Sequence, residues 1–341
     1  MQNLPQPIGS IVESYPELIN ATLIPSKKPK WLAVDLFAGC GGLALGFESA
    51  GFATVGFEKD SDACETYQRN LGGSCVETVL TPDSVLPDCD ILIGGPPCQP
   101  FSVGGNQKGL NDSRDGFPTF IAAVKKLRPR LWMFENVRGM MYGNRWYLDE
   151  ILNELKGLGY EVDLRLFSTV HFNVPQKRER LVVIGHHGGF VFPKPIVKTW
   201  TAGEALKGIL FADSPESKFL TESMDRYIAN YEKASCCVRP RDLHLELPAR
   251  TLTCRNLAGA TGDMQRIKFP DGRRRRLLAR EAARIQSFPD SFEFAGSEGS
   301  VFNQIGNAVP PMFAYSIASA VARYLTRTET QPRKRADALA A

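Results

Sequence analysis

The sequence predicts an α/β fold with a doubly wound, mostly parallel sheet and a second, smaller domain. From Trp31 to about Gly185, short apolar runs alternate with amphipathic segments, as expected for strands joined by crossover helices. Between Phe192 and Arg276 this alternation stops, and prolines and loop-like stretches replace it. The chain has 341 residues, of which 43% are hydrophobic and 23% charged, so it has the composition and length of a globular protein with about two domains.

Length and periodicity assign the individual elements. Residues 8–20 are expected to contain at most one short helix. We expect strands over residues 31–37, 53–57, 90–93, 131–134, 161–167 and 181–185, and helices over residues 43–50, 61–71, 117–127 and 147–158. Two later helices, over residues 278–286 and 311–325, are expected to return to the first domain. The second of these begins with a proline, which favours the first turn of a helix.

These elements divide the chain into five parts. We expect an N-terminal extension (1–30), a first domain (31–191), a second domain (192–276), C-terminal helices that return to the first domain (277–327), and a charged tail (328–341).

Composition excludes several classes of protein. No apolar run approaches the roughly 18 residues that cross a bilayer, and the first ten residues lack the pattern of a signal peptide. The eight cysteines include no CxxC pair, so neither a metal site nor a disulfide framework is predicted. We therefore expect a cytoplasmic protein without membrane or metal, in which all cysteines except Cys98 are buried thiols.

Charge is distributed unevenly along the chain. The net charge is +4, but residues 1–170 carry 15 basic and 20 acidic side chains (net −5), whereas residues 171–341 carry 26 and 17 (net +9). The basic surface is therefore expected mostly in the second half.

A glycine-rich loop follows the first predicted strand. The segment DLFAGCGG (35–42) opens a helix, and the absence of side chains at Gly39, Gly41 and Gly42 lets backbone amides approach a ligand. Glu58 lies 19 residues after Gly39 at the end of the second strand, where a carboxylate commonly binds ribose hydroxyls. The loop departs from GxGxxG, so a nucleotide-like cofactor, a dehydrogenase dinucleotide and a merely tight turn all remain open.

A proline-framed cysteine follows the strand at 90–93. In GGPPCQPFS (94–102), prolines on both sides of Cys98 fix the backbone, which makes this cysteine a candidate nucleophile.

Charged residues accompany two further strands. Glu135 follows the strand at 131–134 and is expected at the same sheet edge as Cys98, partly desolvated and suited to donating a proton. The alternative is a capping or ion-paired glutamate. Arg178 and Arg180 precede the strand at 181–185 on one face, and solvated charge is the alternative for both.

Six segments in this order resemble the cytosine-5 DNA methyltransferases that use S-adenosylmethionine. They are DLFAGCGG, GGPPCQPFS, ENV (135–137), QKRER (176–180), REAARIQSFP (280–289) and QIGNAVP (304–310), and the resemblance runs from Trp31 to about Leu325. It implies a class I methyltransferase, Rossmann-like first domain and a target-recognition domain at 192–276, which we call the recognition segment.

The resemblance implies roles for individual residues. Cys98 is the nucleophile, Glu135 bonds N3 of the cytosine, Arg180 contacts its O2, and Arg178 holds a phosphate or the nucleophile loop. Cofactor contacts are implied for Phe37, Gly39, Gly42, Glu58, Glu77, Pro97 and Asn307. Two positions depart from the family pattern: Glu77 stands where an aspartate is usual, and Lys59 where an aromatic residue often stacks on adenine.

The activity expected from this resemblance is methyl transfer from S-adenosylmethionine to carbon 5 of a cytosine flipped out of double-stranded DNA. Residues 102–114 are expected to close over the site, with Gly104, Gly105 and Gly109 as hinges. Arginines are expected to form a phosphate-binding groove; they are those at 239, 241, 250, 255, 266 and 273–276. We also expect a monomer, paired in function with a cognate restriction endonuclease.

Three alternatives remain at this stage. A tRNA cytosine-5 methyltransferase of the same fold would share the chemistry, but the sequence lacks its Cys-Phe-Thr signature. A nicotinamide-dependent dehydrogenase would share the glycine loop but leaves the Pro-Pro-Cys segment unexplained. A catalytically inactive DNA-binding relative is disfavoured because Cys98, Glu135 and Arg180 are all present.

Overall fold

The computed structural model of the chain describes residues 14–97, 115–212, 214–236, 241–258 and 262–329. Cys98, the loop at 102–114 and Arg239 lie outside the described residues. Among the described residues, no helix is long and apolar enough to span a membrane.

A seven-stranded sheet forms the centre of the molecule. Its strands are β1 (Trp31–Leu36), β2 (Phe52–Glu58), β3 (Ser74–Glu77), β4 (Ile91–Gly94), β5 (Leu131–Val137), β6 (Glu161–Ser168) and β8 (Glu179–His186), in the order β3-β2-β1-β4-β5-β8-β6. The strands from β1 to β5 pair in parallel, and β8 is antiparallel to both of its neighbours. The predicted doubly wound, mostly parallel sheet is confirmed.

The smaller strands and the helices complete the fold. The strands are β7 (Gln176–Lys177), β9 (Ala249–Arg250), β10 (Arg266–Lys268) and β11 (Arg274–Arg276). The helices are α1 (Tyr15–Thr22), α2 (Gly42–Ser49), α3 (Ser61–Asn70), α4 (Phe117–Leu127), α5 (Arg145–Gly157), α6 (Ala202–Ala205), α7 (Glu222–Ala234), α8 (Cys254–Ala258), α9 (Ala279–Ile285), α10 (Glu298–Asn307) and α11 (Pro311–Thr328). Short 3-10 helices lie at Arg138–Met141 and Thr169–Phe172.

Two hydrophobic clusters cover the two faces of the sheet. One contains buried residues of α4 and α5, and the other contains residues of α1, α2, α3, α10 and α11. Helix α2 approaches α11 closely at Gly46, where a Cβ atom would lie 2.4 Å from the backbone nitrogen of Tyr315. A side chain at position 46 would therefore separate these helices.

The described part of the N-terminal extension, residues 14–30, contributes to the core. Helix α1 begins later than the predicted helix, and its Tyr15 and Ile19, one helical turn apart, are completely buried. Residues 14–23 therefore belong to the same hydrophobic cluster as the first domain, although the sequence assigned them to a separate extension.

The recognition segment shares its hydrophobic core with the first domain. Trp200, Leu206, Leu252 and Ile267 are buried in the same cluster as Phe47 of α2. The boundary at residue 192 is therefore not marked by a separate core, and the division into domains stays a proposal.

Three of the six cysteines among the described residues are buried, and Cys89 and Cys254 are only partly buried, which falls short of the expectation. Cys40, Cys64 and Cys75 are buried, as expected. Cys236 is exposed in the turn after α7, so the expectation of a buried thiol is wrong there.

Candidate active site at the carboxyl edge of the sheet

The carboxyl ends of four parallel strands bring the predicted site together. Leu36 of β1 pairs with Phe57 of β2 and with Gly94 of β4, and Gly94 pairs with Phe134 of β5. The glycine loop, Glu58, the loop that leads to Cys98, and Glu135 therefore leave the sheet at one edge. This is the edge at which open parallel α/β sheets bind ligands.

Gly39 and Glu58 form a cradle in the glycine loop. The backbone N–H of Gly39 donates to Oε2 of Glu58 at 2.9 Å, and Oε1 of Glu58 accepts from the N–H groups of Lys59 (2.8 Å) and Asp60 (3.0 Å). Gly39 has a φ of +54°, and a Cβ atom on it would meet nothing within 4 Å. The space over Gly39 suits a cofactor that approaches the backbone closely.

Gly42 is needed for packing on the side where a side chain would project, while the cofactor contact expected of its backbone stays a prediction. A Cβ atom on it would lie 2.5 Å from the carbonyl oxygen of Val309 and 3.2 Å from the Cβ of Ala308. The absence of a side chain at position 42 therefore lets α2 begin against the segment that precedes α11.

Glu77 lies beside Glu58. The two residues pair in register at the ends of β3 and β2, and the N–H of Thr78 donates to the carbonyl of Glu58 at 2.7 Å. The side chains of Glu77 and Lys59 are both exposed. Glu77, which stands where the family usually has an aspartate, thus presents its carboxylate at the same edge of the sheet as Glu58, which is expected to bind the ribose.

Phe37 and Pro97 meet at the start of α4. The N–H of Gly116 donates to the carbonyl of Pro97 at 3.0 Å, and a Cβ atom on Gly116 would lie 2.9 Å from Cζ of Phe37. The side-chain amide of Asn136 also donates to the carbonyl of Pro96 at 2.9 Å. The backbone immediately before Cys98 is therefore anchored to β5, a contact of Asn136 that the sequence did not indicate.

Asp35 is a second residue that sequence reasoning missed. It is 1% exposed near the end of β1, and neither carboxyl oxygen has a hydrogen-bond partner among the described residues. Burial, together with the negative charge of Glu58, raises the pKa of Asp35 to about 8. An acid inside the otherwise apolar WLAVDL strand, directly before a glycine loop, was the signal that could have identified it.

Glu135 and Arg180 face each other across β5 and β8. Oε1 of Glu135 lies 2.5 Å from Nε of Arg180, and each side chain is 12% exposed. Burial lowers the pKa of Arg180, and the carboxylate of Glu135 opposes that shift. The ion-paired alternative therefore describes Glu135 here. Its second oxygen, Oε2, would lie 3.7 Å from a Cβ atom added at Gly95.

Arg178 is buried and connects separate segments of the chain by hydrogen bonds. It is 1% exposed, and its guanidinium donates to the carbonyls of Leu252 (2.7 Å), Gly306 (3.1 Å) and Ala308 (3.1 Å). Burial lowers the pKa of Arg178 well below its usual range, and the charge of Arg180 lowers it further. A side chain that is buried and bonded to three carbonyls is not placed to reach a DNA phosphate. The other role expected of Arg178, holding the nucleophile loop, involves residues outside the described ones and stays a prediction.

Asn307 ends α10 between two of these carbonyls. Its side chain is exposed, and its Oδ1 lies 3.5 Å from Sγ of Cys254. Arg178 thus joins the proposed cofactor residue Asn307 to the recognition segment.

Comparison with known proteins identifies the family. A family model described as C-5 cytosine-specific DNA methylase matches residues 32–323. The chain belongs to this family. The type II methyltransferase M.AplI of Arthrospira platensis is 53% identical over 304 residues, covering 88% of each chain, and M.NgoFVII of Neisseria gonorrhoeae is 34% identical over 87% of each chain. These relatives support a type II DNA methyltransferase and not the tRNA or dehydrogenase alternatives.

Solved structures share the fold of this methylase. A putative DNA modification methyltransferase encoded in an Escherichia coli prophage aligns with a TM-score of 0.66 at 23% identity, over 87% of this chain and 100% of that one. The Dnmt2 methyltransferase of S. pombe aligns with a TM-score of 0.67 at 18% identity, over 87% and 98%. Both confirm the class I methyltransferase fold.

The arginines of the methylase's recognition segment are mostly held in ion pairs. Arg266 is completely buried and contacts Glu232 (2.8 Å) and Asp242 (2.7 Å), and Arg275 is completely buried against Glu281. Other acidic partners hold Arg241, Arg250, Arg273, Arg274 and Arg276. Arg266 and Arg275 are therefore buried away from the expected phosphate groove, whereas Arg273 is exposed in a surface ion pair and its place in that groove stays a prediction.

Two cations at the site are exceptions. Lys177 of β7 and Arg255 of α8 are exposed and have no ion pair among the described residues. Both lie close to Arg178 in structure: Lys177 precedes it, and Thr251, four residues before Arg255, donates to the carbonyl of Lys177 at 2.6 Å.

Proposed function

We propose that this DNA methyltransferase transfers a methyl group from S-adenosylmethionine to carbon 5 of a cytosine flipped out of a specific duplex site, as the modification enzyme of a restriction-modification system. The convergence of two features at one sheet edge carries the proposal. The Gly39–Glu58 cradle lies beside the loop that enters Cys98, and the Glu135–Arg180 pair lies on its other side.

The cofactor proposal rests on the polar groups around this cradle. Phe37, Gly39, Glu58, Glu77, Pro97 and Asn307 would hold S-adenosylmethionine, with Glu58 on the ribose hydroxyls. Asp35 adds a buried carboxyl group without a partner, which fits a site that a polar ligand completes. When bound, the cofactor supplies an electrophilic sulfonium methyl group.

Cytosine chemistry explains why a thiol and a carboxyl group are needed together. Carbon 5 is a poor nucleophile, so the Cys98 thiolate adds to carbon 6, the ring electrons move to carbon 5, and N3 takes a proton from Glu135. After carbon 5 has accepted the methyl group, a solvent base takes the proton of carbon 5. The electrons of that C–H bond form the double bond between carbons 5 and 6 and expel the Cys98 thiolate, and N3 returns its proton to Glu135. Both Cys98 and the ring are then restored.

The Glu135–Arg180 pair accounts for recognition of the ring. Oε2 of Glu135 would lie 3.7 Å from a Cβ atom added at Gly95, so the missing side chain at position 95 leaves this oxygen uncovered on that side, where a flat base would bind. A cytosine bound there would place its N3 against Glu135 and its O2 against Arg180. Its binding would replace solvent and part of the Glu135–Arg180 ion pair with two contacts to the ring.

DNA binding is assigned to Arg255, one of the arginines that the sequence suggested, and to Lys177, which the sequence did not indicate. Lys177 and Arg255 flank the base site and keep their charge free for phosphates. The recognition segment would then select the sequence through side chains that reach base edges. We further propose that the protein acts as a monomer, in the cytoplasm, alongside a restriction endonuclease of the same specificity.

The covalent step provides the test. DNA that carries 5-fluorocytosine should trap the enzyme in an adduct that survives denaturation, because fluorine at carbon 5 cannot leave as a proton. Cys98→Ala should form no adduct and no 5-methylcytosine, measured by gel shift and by bisulfite sequencing. An adduct that persists in Cys98→Ala would contradict the assignment of the nucleophile.

A further inference from the structure

Helix α1 lies outside the residues that match the family, yet it contacts the recognition segment. The family match covers residues 32–323, and α1 ends at Thr22. Its side chains Tyr15 and Ile19 are buried, and the contacts of Tyr15 and Asn20 lead by two separate routes to the recognition segment.

The first contact route runs through Tyr15. Its hydroxyl donates to the carbonyl of Asn173 at 3.1 Å, and its ring lies 5.3 Å from the ring of Trp200. Trp200 in turn donates from Nε1 to Oδ1 of Asn173 at 3.1 Å. Asn173 has a φ of +57°, so this hub is a fixed turn between the 3-10 helix Thr169–Phe172 and β7. Tyr15 thereby holds Trp200 of the recognition segment against Asn173, which precedes β7, the strand that leads to Arg178.

The second route runs through Asn20. Its side chain makes two reciprocal hydrogen bonds with Asp290, at 3.0 Å from Nδ2 to Oδ2 and at 2.8 Å from the backbone N–H of Asp290 to Oδ1. Oδ1 of Asp290 also accepts a hydrogen bond from Nε of Arg284. Nη1 of the same Arg284 donates at 2.9 Å to the carbonyl of Lys207 in the recognition segment. Asn20 therefore reaches that segment through one carboxylate and one guanidinium.

Both routes end on the part of the recognition segment that supports the base site. The N–H groups of Ala202 and Gly203 donate to the carbonyls of Leu247 and Leu245 at 2.8 Å each. The chain then enters β9, which pairs with β7, and Leu252, which Arg178 holds. A shift of α1 would thus be transmitted to Arg255 and Lys177 without involving the cofactor cradle.

We propose that α1 is a positioning element for DNA binding: Tyr15 and Asn20 fix the recognition segment against the catalytic domain and set the affinity for target DNA without touching it. This inference rests on the proposed function, since it takes residues 192–276 as the DNA-binding segment. Neither residue contacts cofactor, base or phosphate in this assignment.

Asn70 provides a matched control. It is also an asparagine near the end of a helix, and it makes two reciprocal hydrogen bonds of 2.7 Å each with Glu293, three residues from Asp290. Its helix, α3, belongs to the catalytic domain and makes no hydrogen bond to the recognition segment among the described residues. Asn70→Ala therefore removes similar bonds from the same loop without loosening α1.

The experiment measures steady-state kinetics of the full chain on a duplex that contains the methylated site, identified beforehand by bisulfite sequencing. Asn20→Ala and Tyr15→Phe should raise the KM for DNA on the order of three- to tenfold, as expected for losing one or two hydrogen bonds. The kcat at saturating DNA and the Kd for S-adenosylmethionine should change less than about twofold. Tyr15→Phe keeps the ring on Trp200, so it tests the hydroxyl in a protein that still folds.

The outcomes separate positioning from general stability. A normal KM for DNA in Asn70→Ala, at a melting temperature lowered as much as in Asn20→Ala, would support the proposal. Equal increases of the KM for DNA in all three variants, or a normal KM in both Asn20→Ala and Tyr15→Phe, would overturn the proposal for α1. The proposed function would still stand in either case, because it depends on the activity of the wild-type enzyme. A wild-type enzyme that methylates no cytosine would contradict the proposed function and this inference together.

Discussion

The sheet edge and the recognition segment treat charged side chains in opposite ways. At the edge, Asp35 is buried without a partner, and no side chain at position 95 covers Oε2 of Glu135. In the recognition segment, Arg266 and Arg275 are as deeply buried, but each is matched by carboxylates. The two regions therefore differ in charge pairing and not in hydrogen bonding as a whole: Asp35 has no ion pair among the described residues, whereas both arginines do, although Nη1 of Arg266 and Nε of Arg275 also lack a hydrogen-bond partner there.

The largest effect should come from breaking a completed pair. Nη1 and Nη2 of Arg275 each donate to a carboxyl oxygen of Glu281 at 2.7 Å, and the two side chains are 0% and 1% exposed. Arg275→Ala leaves Glu281 buried and unpaired, so the free energy of unfolding should fall by about 3–5 kcal/mol. Urea unfolding measures this loss.

Arg273 is the control for that comparison, because it is exposed and, among the described residues, forms an ion pair with the also exposed Asp271 and lies 4.5 Å over the ring of Phe219. Arg273→Ala should leave the unfolding midpoint unchanged. Similar losses in the two variants would remove the distinction between buried pairs and surface charge in this segment.

Glu135→Gln tests the other side of the comparison. Turnover per folded molecule should fall by a factor on the order of 10² or more, because an amide cannot give N3 a proton. The melting temperature should also fall, since Arg180 loses the charge that faces it. Single-turnover rates and calorimetric cofactor binding distinguish the two effects. Unchanged turnover in the folded fraction would leave Glu135 a purely structural residue.

Asp35 predicts a dependence of stability on pH. Its pKa is about 8 in the folded protein and near 3.8 when exposed, so the folded state retains a proton that the unfolded state releases. This contribution to stability is fully present below about pH 4 and is lost as the pH rises to 8. Asp35→Asn should flatten the decline of the melting temperature between pH 5 and 8.5, measured without cofactor. An equally steep decline in the variant would show that other groups cause it.

The smallest effect concerns the two exposed cations. Arg255→Ala should weaken binding to all DNA sequences alike and reduce the slope of log K against log salt by about one. Arg273→Ala should leave that slope unchanged, because Arg273 already pairs with Asp271. Filter binding at several salt concentrations measures both slopes. A reduced slope in Arg273→Ala alone would support the groove predicted along 273–276.

Local pattern predicted the elements of the catalytic domain well. The strands and helices from residue 31 to 186 follow hydrophobic periodicity, and α4 begins and ends where predicted. Strand β3 was missed because only Cys75 of its four residues is buried, so it has no apolar signature. Helix α10 was missed because Gly299 and Gly306 weaken its helical pattern.

Pairing between distant residues could not be predicted from the same patterns. The run of arginines at 273–276 has the appearance of a nucleic-acid surface, and its partners Asp225, Glu281 and Glu298 lie up to about fifty residues away in sequence. Arg178 illustrates the same limit: its spacing from Arg180 suggested one shared face, but a break between β7 and β8 turns it towards the carbonyls of α10. Composition gives the number of charged side chains, but tertiary contacts decide which of these side chains remain available to bind DNA.

The shared hydrophobic cluster constrains how new specificities arise by recombination. A recognition segment exchanged between two methylases would have to bring apolar side chains that fit at Trp200, Leu206 and Leu252, because these contact the catalytic domain directly. Only residues outside that buried set are free to vary with the target sequence. Evolution can therefore diversify the exposed surface of the segment while its inner face is inherited together with the enzyme that carries it.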